Sequence, residues 1–500
     1  MSIASVPYAR EITERALNVA ALKGASYADV RVVERRTESV TVKNGRVEAV
    51  SLSHTAGFGV RVIVDGSWGF ASSAELSVRK AEEVAALAMA IARASARVRA
   101  RAVALAPAPV VRDTYRTPVQ RDPFTVPLEE KIALLLAADE RMRRVPRIGV
   151  AESTIGIARE RKTFANSEGS YIEQEITETG CGLEATAVGE GEVQRRSYPN
   201  SVGRHTGTEG WEFVETYDLP GNAERVASEA VQLLTAPQCP SGRRTIILDA
   251  TQVALQVHES CGHPVELDRV LGMEASYAGT SFLTPDKLGW FQYGSEIVNI
   301  TADATSPGGL GTFGYDDEGV AAQRTPLVRN GIFVGYLTSR DTVAELRALL
   351  GDRAAQVLPQ EGSNGTARAD GWNRIPLIRM TNINLEPGEW RLDDLIADTD
   401  DGLYLETNKS WSIDDRRLNF QFATEWCREI KGGKLGTVYK NATYTGITPE
   451  FWRSCDAICR EWRVWGTPNC GKGQPPQVAH VGHGAAAARF RNVEVGVMKE

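Results

Sequence analysis

A chain of 500 residues is too long for one ordinary hydrophobic core, so two or three domains are expected. Its 42% apolar and 24% charged residues are those of a globular protein. A net charge of −7, with no large Lys/Arg cluster, argues against nucleic acid or an anionic membrane as partner.

The opening stretch, MSIASVPYAREITERAL, lacks the basic head and apolar run of a secretory signal. The longest uncharged apolar run, residues 84–92, is too short to span a bilayer. Seven scattered cysteines form no disulfide framework. That usage suits a reducing cytoplasm, where thiolates stay free to bind metal.

In chain order, residues 6–23 read as an amphipathic helix, with Ile12, Ala16, Val19 and Leu22 at helical spacing. The period then changes to two. ESVTVKNGRVEAVSL alternates on both sides of Asn44-Gly45, and a second hairpin turns at Asp65-Gly66. An Ala-rich helix over 74–98 follows, and Arg93, Arg97, Arg99 and Arg101 read as its solvated end. The four prolines of LAPAPVVRDTYRTPVQRDP mark a linker. A helix at 128–144, strands over 149–200 and a helix at 220–235 then repeat the order helix, hairpins, helix. A second linker, TAPQCPSGRR, leads to a region rich in strands and turns. The expected fold class is α+β: two α+β N-terminal units, 1–102 and 118–236, then a large, mostly antiparallel β-rich domain over 243–500.

One helix of that last region carries chemistry. TIILD reads as a buried strand, Asp249 can cap the helix after it, and Val253, Leu255 and Val257 give that helix an apolar side. The helix runs into VHESCGHPVELDRV. Zinc proteases of the H-E-x-x-H type place two His residues four apart on one helical face, with Glu as general base. Here His258 and His263 are five apart, which on a straight α-helix puts them about 140° apart around the axis. Two imidazoles so placed cannot hold one ion, so the backbone must deviate between them. Gly262 tolerates unusual dihedrals, and Pro264 is expected to push His263 out of the α region. A wide i→i+5 turn of the kind found at functional sites would return His263 towards His258. Glu259 would then stand beside the metal as general base.

A catalytic zinc takes three protein ligands and leaves a position open. The third ligand is not fixed by the motif. Glu266 and Asp268 are near in sequence; His480, His483, Cys470 and the other cysteines are further candidates, with Cys470 in the Gly-rich stretch NCGKGQP.

LDATQVALQVHESCGHPVELDRV, DDEG at 316–319, RMTN at 379–382, GITPEFW at 446–452, and CGKGQP followed by HGAAAARFRNV together resemble the TldD/PmbA family of metallopeptidases over essentially the whole chain. H-E-x-x-x-H with a distant C-terminal Cys resembles the catalytic TldD branch; the PmbA (TldE) branch lacks the ligands. The resemblance implies Zn²⁺ on His258, His263 and Cys470, with Glu259 as base. It further implies hydrolysis of amide bonds in unstructured peptides or proteins. It also implies a dimer, either of this chain with itself or with a PmbA/TldE-like chain. Two other readings keep less of that: an amide hydrolase acting on a small biosynthetic intermediate, and a non-catalytic partner subunit. Cys455 and Cys459 match no family motif and read as helix-packing cysteines, and His480 and His483 as surface or structural residues. PLIRMTNINL reads either as a buried strand or as a sheet edge to which a substrate strand could add.

Overall fold

Positive φ at both central residues is what a tight I′ turn demands, and Asn44 (48°) and Gly45 (77°) provide it, as do Asp65 (48°) and Gly66 (69°). These turns join β1 (Tyr27–Lys43), β2 (Arg46–Val64) and β3 (Ser67–Ser73). The computed structural model describes residue 6 and residues 8–189, 191–201, 204–358 and 361–497. The first five residues, part of the stretch read as lacking an export signal, lie outside that set.

Helices α1 (Ala9–Leu22) and α2 (Val78–Ala96) bury Ile12, Ala16, Ala85 and Met89 against Val30, Val32, Val60 and Val62 of β1 and β2. Leu22, expected on the buried stripe, is 80% exposed. Val19 and Ala20 of the same turn are buried, so the exposure is confined to the residue that ends the helix. The linker at 105–123 holds β4 (Arg112–Arg116), which pairs in parallel with β6 (Tyr171–Gly189). Its prolines hide a short Thr- and Tyr-bearing strand that a vacant sheet edge organises.

The two N-terminal units share one sheet. Strand β1 pairs with β2 on one side and with β5 (Ile148–Asn166) on the other, from Asp29 opposite Asn166 to Lys43 opposite Glu152. The order is β3-β2-β1-β5-β6-β4, and β7 (Glu192–Tyr198) and β8 (His205–Gly207) also pair with β6. Helix α3 (Leu128–Arg143) and the helix Leu219–Thr235 cover the second half, packing Leu135, Ala138 and Ala227 on Ile155 and Leu183.

The last region docks on this sheet through buried charge. Asp317 lies 2.7 Å from Lys162 and 3.7 Å from Arg31, and Glu318 lies 3.3 Å from Arg61. The DDEG stretch is therefore one joint between the N-terminal sheet and the domain that follows, beside others such as Ser197 with Glu425 and Arg340 with Glu168.

Among the described residues, that domain holds a two-stranded sheet and two large ones. In one, Asp401–Ile413, Gly242–Leu248, Ala488–Val497, Ala442–Ile447 and Asn419–Lys431 follow one another and close into a ring, because the first and last also pair. In the other, six strands include Asn382–Leu385, Gln477–Ala485 and Arg463–Lys472 side by side. The motif helix, Ala250–Val257, lies between the two, and Val253 and Val257 are fully buried. Asp249 caps it, accepting from the backbone N–H of Thr251 and Gln252.

Two expectations need correction. Cys455 and Cys459 are buried on and just after the strand Cys455–Ile458, not on a helix; the preceding helix ends at Arg453, before either of them. PLIRMTNINL is divided: Leu377–Ile378 pairs only with Ala367–Arg368, whereas Asn382–Leu385 lies inside a sheet with partners on both sides.

Candidate metal centre

The odd spacing of the two histidines is resolved by a wide turn. Residues His258–Gly262 form one turn of π-helix, and the His263 N–H donates to the His258 carbonyl at 3.1 Å. The extra residue rotates His263 back over His258, and the two rings meet edge to face with centroids 4.8 Å apart. His263 nevertheless stays in the α region (φ −66°, ψ −42°), contrary to the expectation from Pro264. The widened turn already aligns the rings, so no departure at His263 is needed; Pro264 ends the helix without bending it beforehand.

Gly262 is required for a different reason from the one anticipated. Its φ is not positive; instead, a Cβ there would collide with the Met380 sulfur. The turn also frees backbone acceptors, and the sequence elsewhere supplies donors for them. Tyr293 Oη donates to the Ser260 carbonyl at 2.9 Å, and Trp452 Nε1 donates to Ser260 Oγ at 2.9 Å. Ser260 is completely buried, so these bonds replace water that cannot reach it. GITPEFW thus holds the wide turn through its Trp452.

Cys470 arrives from a strand more than two hundred positions downstream. Pairing of Arg463–Lys472 with Gln477–Ala485 slips between Thr467 and Cys470, and this irregularity aims the thiol inward. Cys470 Sγ lies 3.5 Å from His258 Nε2 and 3.8 Å from His263 Nε2. The three ligand atoms all fall within 4.8 Å of one another, and all three residues are buried. A tetrahedral zinc with ordinary Zn–S and Zn–N bonds separates sulfur from nitrogen by about 3.6 Å. The donor set fits such an ion.

Electrostatics favour ligand-ready forms. Burial lowers the pKa of both His258 and His263, so their imidazoles are neutral at neutral pH. Burial alone would raise the Cys470 thiol, but His263 and Arg379 outweigh it and bring it below its ordinary value. Arg379, from RMTN, also donates to the Cys470 carbonyl and steadies the strand.

Each imidazole is oriented from behind. His263 Nδ1 lies 2.9 Å from Glu266 Oε2, and His258 Nδ1 lies 2.8 Å from His483 Nε2. Such partners fix which ring nitrogen is free for a metal. Burial would raise the Glu266 carboxyl, but Lys472, His263 and Arg269 hold it well below the usual carboxylate range. Lys472, fully buried, lies 2.7 Å from Asp268, 3.2 Å from Glu274 and 3.3 Å from Glu266. It ties the loop carrying Cys470 to the segment after the motif helix.

Of the third-ligand candidates, Cys470 joins the two histidines, while Glu266 and Asp268 stand behind them. His480 is partly exposed and pairs with Glu178 at 2.6 Å. Of the two alternatives for His483, surface or structural, the surface one fails, because the ring is buried against His258. Strand alternation could have signalled this, because VAHVGHGA places His483 on the same face as the buried Val481 and His480 on the other. Glu259, adjacent to His258, has its Oε2 3.2 Å from Arg417 Nη1. Neither Arg417 nor Tyr293 carries any local sequence signal of a role here.

Three family models match in order: the PmbA/TldA metallopeptidase domain 1 over residues 28–97, the central domain over 121–236 and the C-terminal domain over 241–497. A metalloprotease of Methanocaldococcus jannaschii is 30% identical over 94% of this chain and 96% of its own length. A Saccharolobus solfataricus protein named zinc metalloprotease TldD homolog is 23% identical over 95% of this chain and 97% of its own. The crystal structure of TldE from Thermococcus kodakarensis superposes with a TM-score of 0.75 at 17% identity, over 97% of this chain and 99% of that one, which shows a shared fold.

Proposed function

We propose that this chain, which belongs to the PmbA/TldD metallopeptidase family, is a zinc-dependent peptidase of the TldD branch that hydrolyses amide bonds of unstructured peptides or proteins. The observation that carries this reading is the convergence of His258, His263 and Cys470 to within 4.8 Å beside Glu259. A PmbA-type partner subunit has no use for such a set. Neutral imidazoles with one thiolate suit zinc, and the Saccharolobus relative, named a zinc metalloprotease, supports the same ion.

A zinc ion held there would supply Lewis acidity, making a water molecule acidic near neutral pH. The chain's own residues handle the protons. Glu259 accepts the proton of the attacking water as its oxygen bonds to the amide carbon, and returns it to nitrogen as the C–N bond breaks. Glu266 and His483 keep the imidazoles of His263 and His258 in the tautomer that leaves Nε2 unprotonated. The seven cysteines are all free and buried, which supports a cytoplasmic setting. No helix among the described residues is long and apolar enough to cross a membrane. The partner proposed, from the family resemblance, is a second copy of this chain or a PmbA/TldE-like chain.

Purified protein should carry one zinc per chain and cleave an unstructured peptide, and a chelator should abolish cleavage until zinc is restored. Cleavage of a small acylated amine but of no peptide would favour the biosynthetic amide hydrolase instead; zinc-free protein inert to both would leave the partner-subunit reading.

The residues behind the ligands give a second test. His483→Ala should weaken zinc affinity by about 10–100-fold, the usual cost of losing such a partner, with the fold intact. Competition with a chromogenic chelator measures it. Affinity equal to wild type would mean that His483 only fills space.

A further inference from the structure

Among the described residues, Arg417 is the one cation in direct contact with Glu259, and its setting is unusual. It sits in the turn between the strands Asp401–Ile413 and Asn419–Lys431, with φ of 63°, a left-handed conformation uncommon for a residue other than glycine. Such backbone strain persists only where surrounding structure enforces it. Here it does: Thr448 Oγ1 donates to the Arg417 carbonyl at 3.0 Å, Thr280 N–H donates to the Asp415 carbonyl at 2.8 Å, and Phe282 N–H to the Arg416 carbonyl at 3.0 Å. The tip of the hairpin is clamped on two sides, and the clamp delivers the guanidinium to the general base.

Its hydrogen-bonding capacity is only partly used. Nη1 meets Glu259 Oε2 at 3.2 Å, and Nη2 meets the Ala278 carbonyl at 3.5 Å, an acceptor that Arg269 already engages at 2.7 Å. Nε is buried with no hydrogen-bond partner among the described residues. Both burial and the neighbouring Arg269 guanidinium work against its charge. They outweigh the nearby carboxylates of Glu259, Glu266 and Glu274, and the unused Nε donor stands next to the residue that takes up the proton.

The geometry points to Arg417 as a catalytic residue that binds the substrate's carbonyl oxygen as it becomes an oxyanion. This rests on the amide-hydrolase reading and deepens it. Before reaction the guanidinium balances the Glu259 carboxylate. When water attacks, its oxygen bonds to the carbonyl carbon, the C=O π pair moves onto oxygen, and the proton moves to Glu259, which becomes neutral. Arg417 loses its counter-charge at the step that creates a new anion within the site, so its attraction strengthens in the transition state. When the C–N bond breaks, the oxygen's pair re-forms C=O, the proton passes to the amine nitrogen, and Glu259 recovers its charge and its ion pair.

The test uses Arg417→Gly, because glycine accepts a φ of 63° without strain and leaves the turn intact. The full chain loaded with zinc is assayed on an unstructured peptide, and its affinity for a phosphonamidate peptide, which mimics the tetrahedral oxyanion, is measured alongside. Removing one such donor should lower kcat by about 10²–10³-fold, with KM little changed, zinc content unchanged and phosphonamidate affinity reduced by a similar factor. Millimolar guanidinium ion should restore part of kcat in Arg417→Gly and none in wild type. Arg417→Lys should fall between the two. A variant with wild-type kcat overturns the assignment, as does one that loses ground-state peptide and phosphonamidate affinity equally or loses its zinc. If the wild type itself cleaves no peptide, the hydrolase reading fails and this one with it; an active wild type beside an equally active Arg417→Gly overturns this one alone.

Discussion

Cys470→Ser is expected to lose its zinc on dialysis and, with it, the stability that bound metal contributes. Sulfur is the one ligand that comes from outside the motif, so it joins the strand Arg463–Lys472 to the turn His258–Gly262 across the domain. A ligand that binds the folded state alone stabilises it by about 2.7 kcal/mol at a hundredfold excess over Kd, and about 4.1 kcal/mol at a thousandfold. Wild-type protein should therefore melt higher with zinc than with chelator, and Cys470→Ser should show no such difference. His263→Ala should behave likewise. Glu266→Gln separates the ligands from their supports: it should still take up one zinc per chain at saturating metal, with affinity lowered by about 10–100-fold. Metal analysis and paired melts on the three variants decide the matter. Zinc retained by Cys470→Ser but absent from Glu266→Gln would move the third ligand to Glu266.

Glu259→Gln should keep fold and zinc and lose hydrolysis by about 10²–10⁴-fold, the usual worth of general acid–base catalysis. That is about 2.7–5.4 kcal/mol of barrier at 1.36 kcal/mol per decade. The substitution keeps size and removes only the ability to accept a proton. Glu259 touches neither His483 nor Glu266, so the orientation of the imidazoles is untouched. The measurement is single-turnover cleavage of an unstructured peptide, with zinc content determined on the same sample. A rate within a few-fold of wild type would make Glu259 a neighbour of the site and nothing more. Because Arg417 keeps its position but loses its counter-charge in this variant, Glu259→Gln should also bind an anionic phosphonamidate at least as tightly as wild type does.

Period and turn chemistry made the outline of this protein legible without any tertiary information. Asn44-Gly45 and Asp65-Gly66 specify I′ turns because few other pairs accept positive φ twice in succession, and the hairpins follow from the alternation around them. The wide turn was legible for the same kind of local reason: two histidines five apart can serve one ion only if the helix gains a residue. Asp249 as a cap, and the helices on either side of the hairpins, likewise depend on neighbours within a few positions.

What tertiary structure decided were relations between residues that no local rule connects. The sequence separates Cys470 from His263 by more than two hundred positions, and only a slip in strand pairing turns its thiol towards the imidazoles. Tyr293 and Arg417 look ordinary in their own surroundings, and although alternation turns His483 inward and Trp452 lies in GITPEFW, the contacts all four make to His258, Ser260 and Glu259 come from across strands and loops. The strand hidden in the proline-rich linker forms because β6 offers a free edge, and the two N-terminal units become one sheet because β1 pairs on both sides. Local dihedral preferences act within a turn or two, whereas a metal ligand set and a shared sheet are fixed by long-range packing, which alone sets the distances between distant side chains.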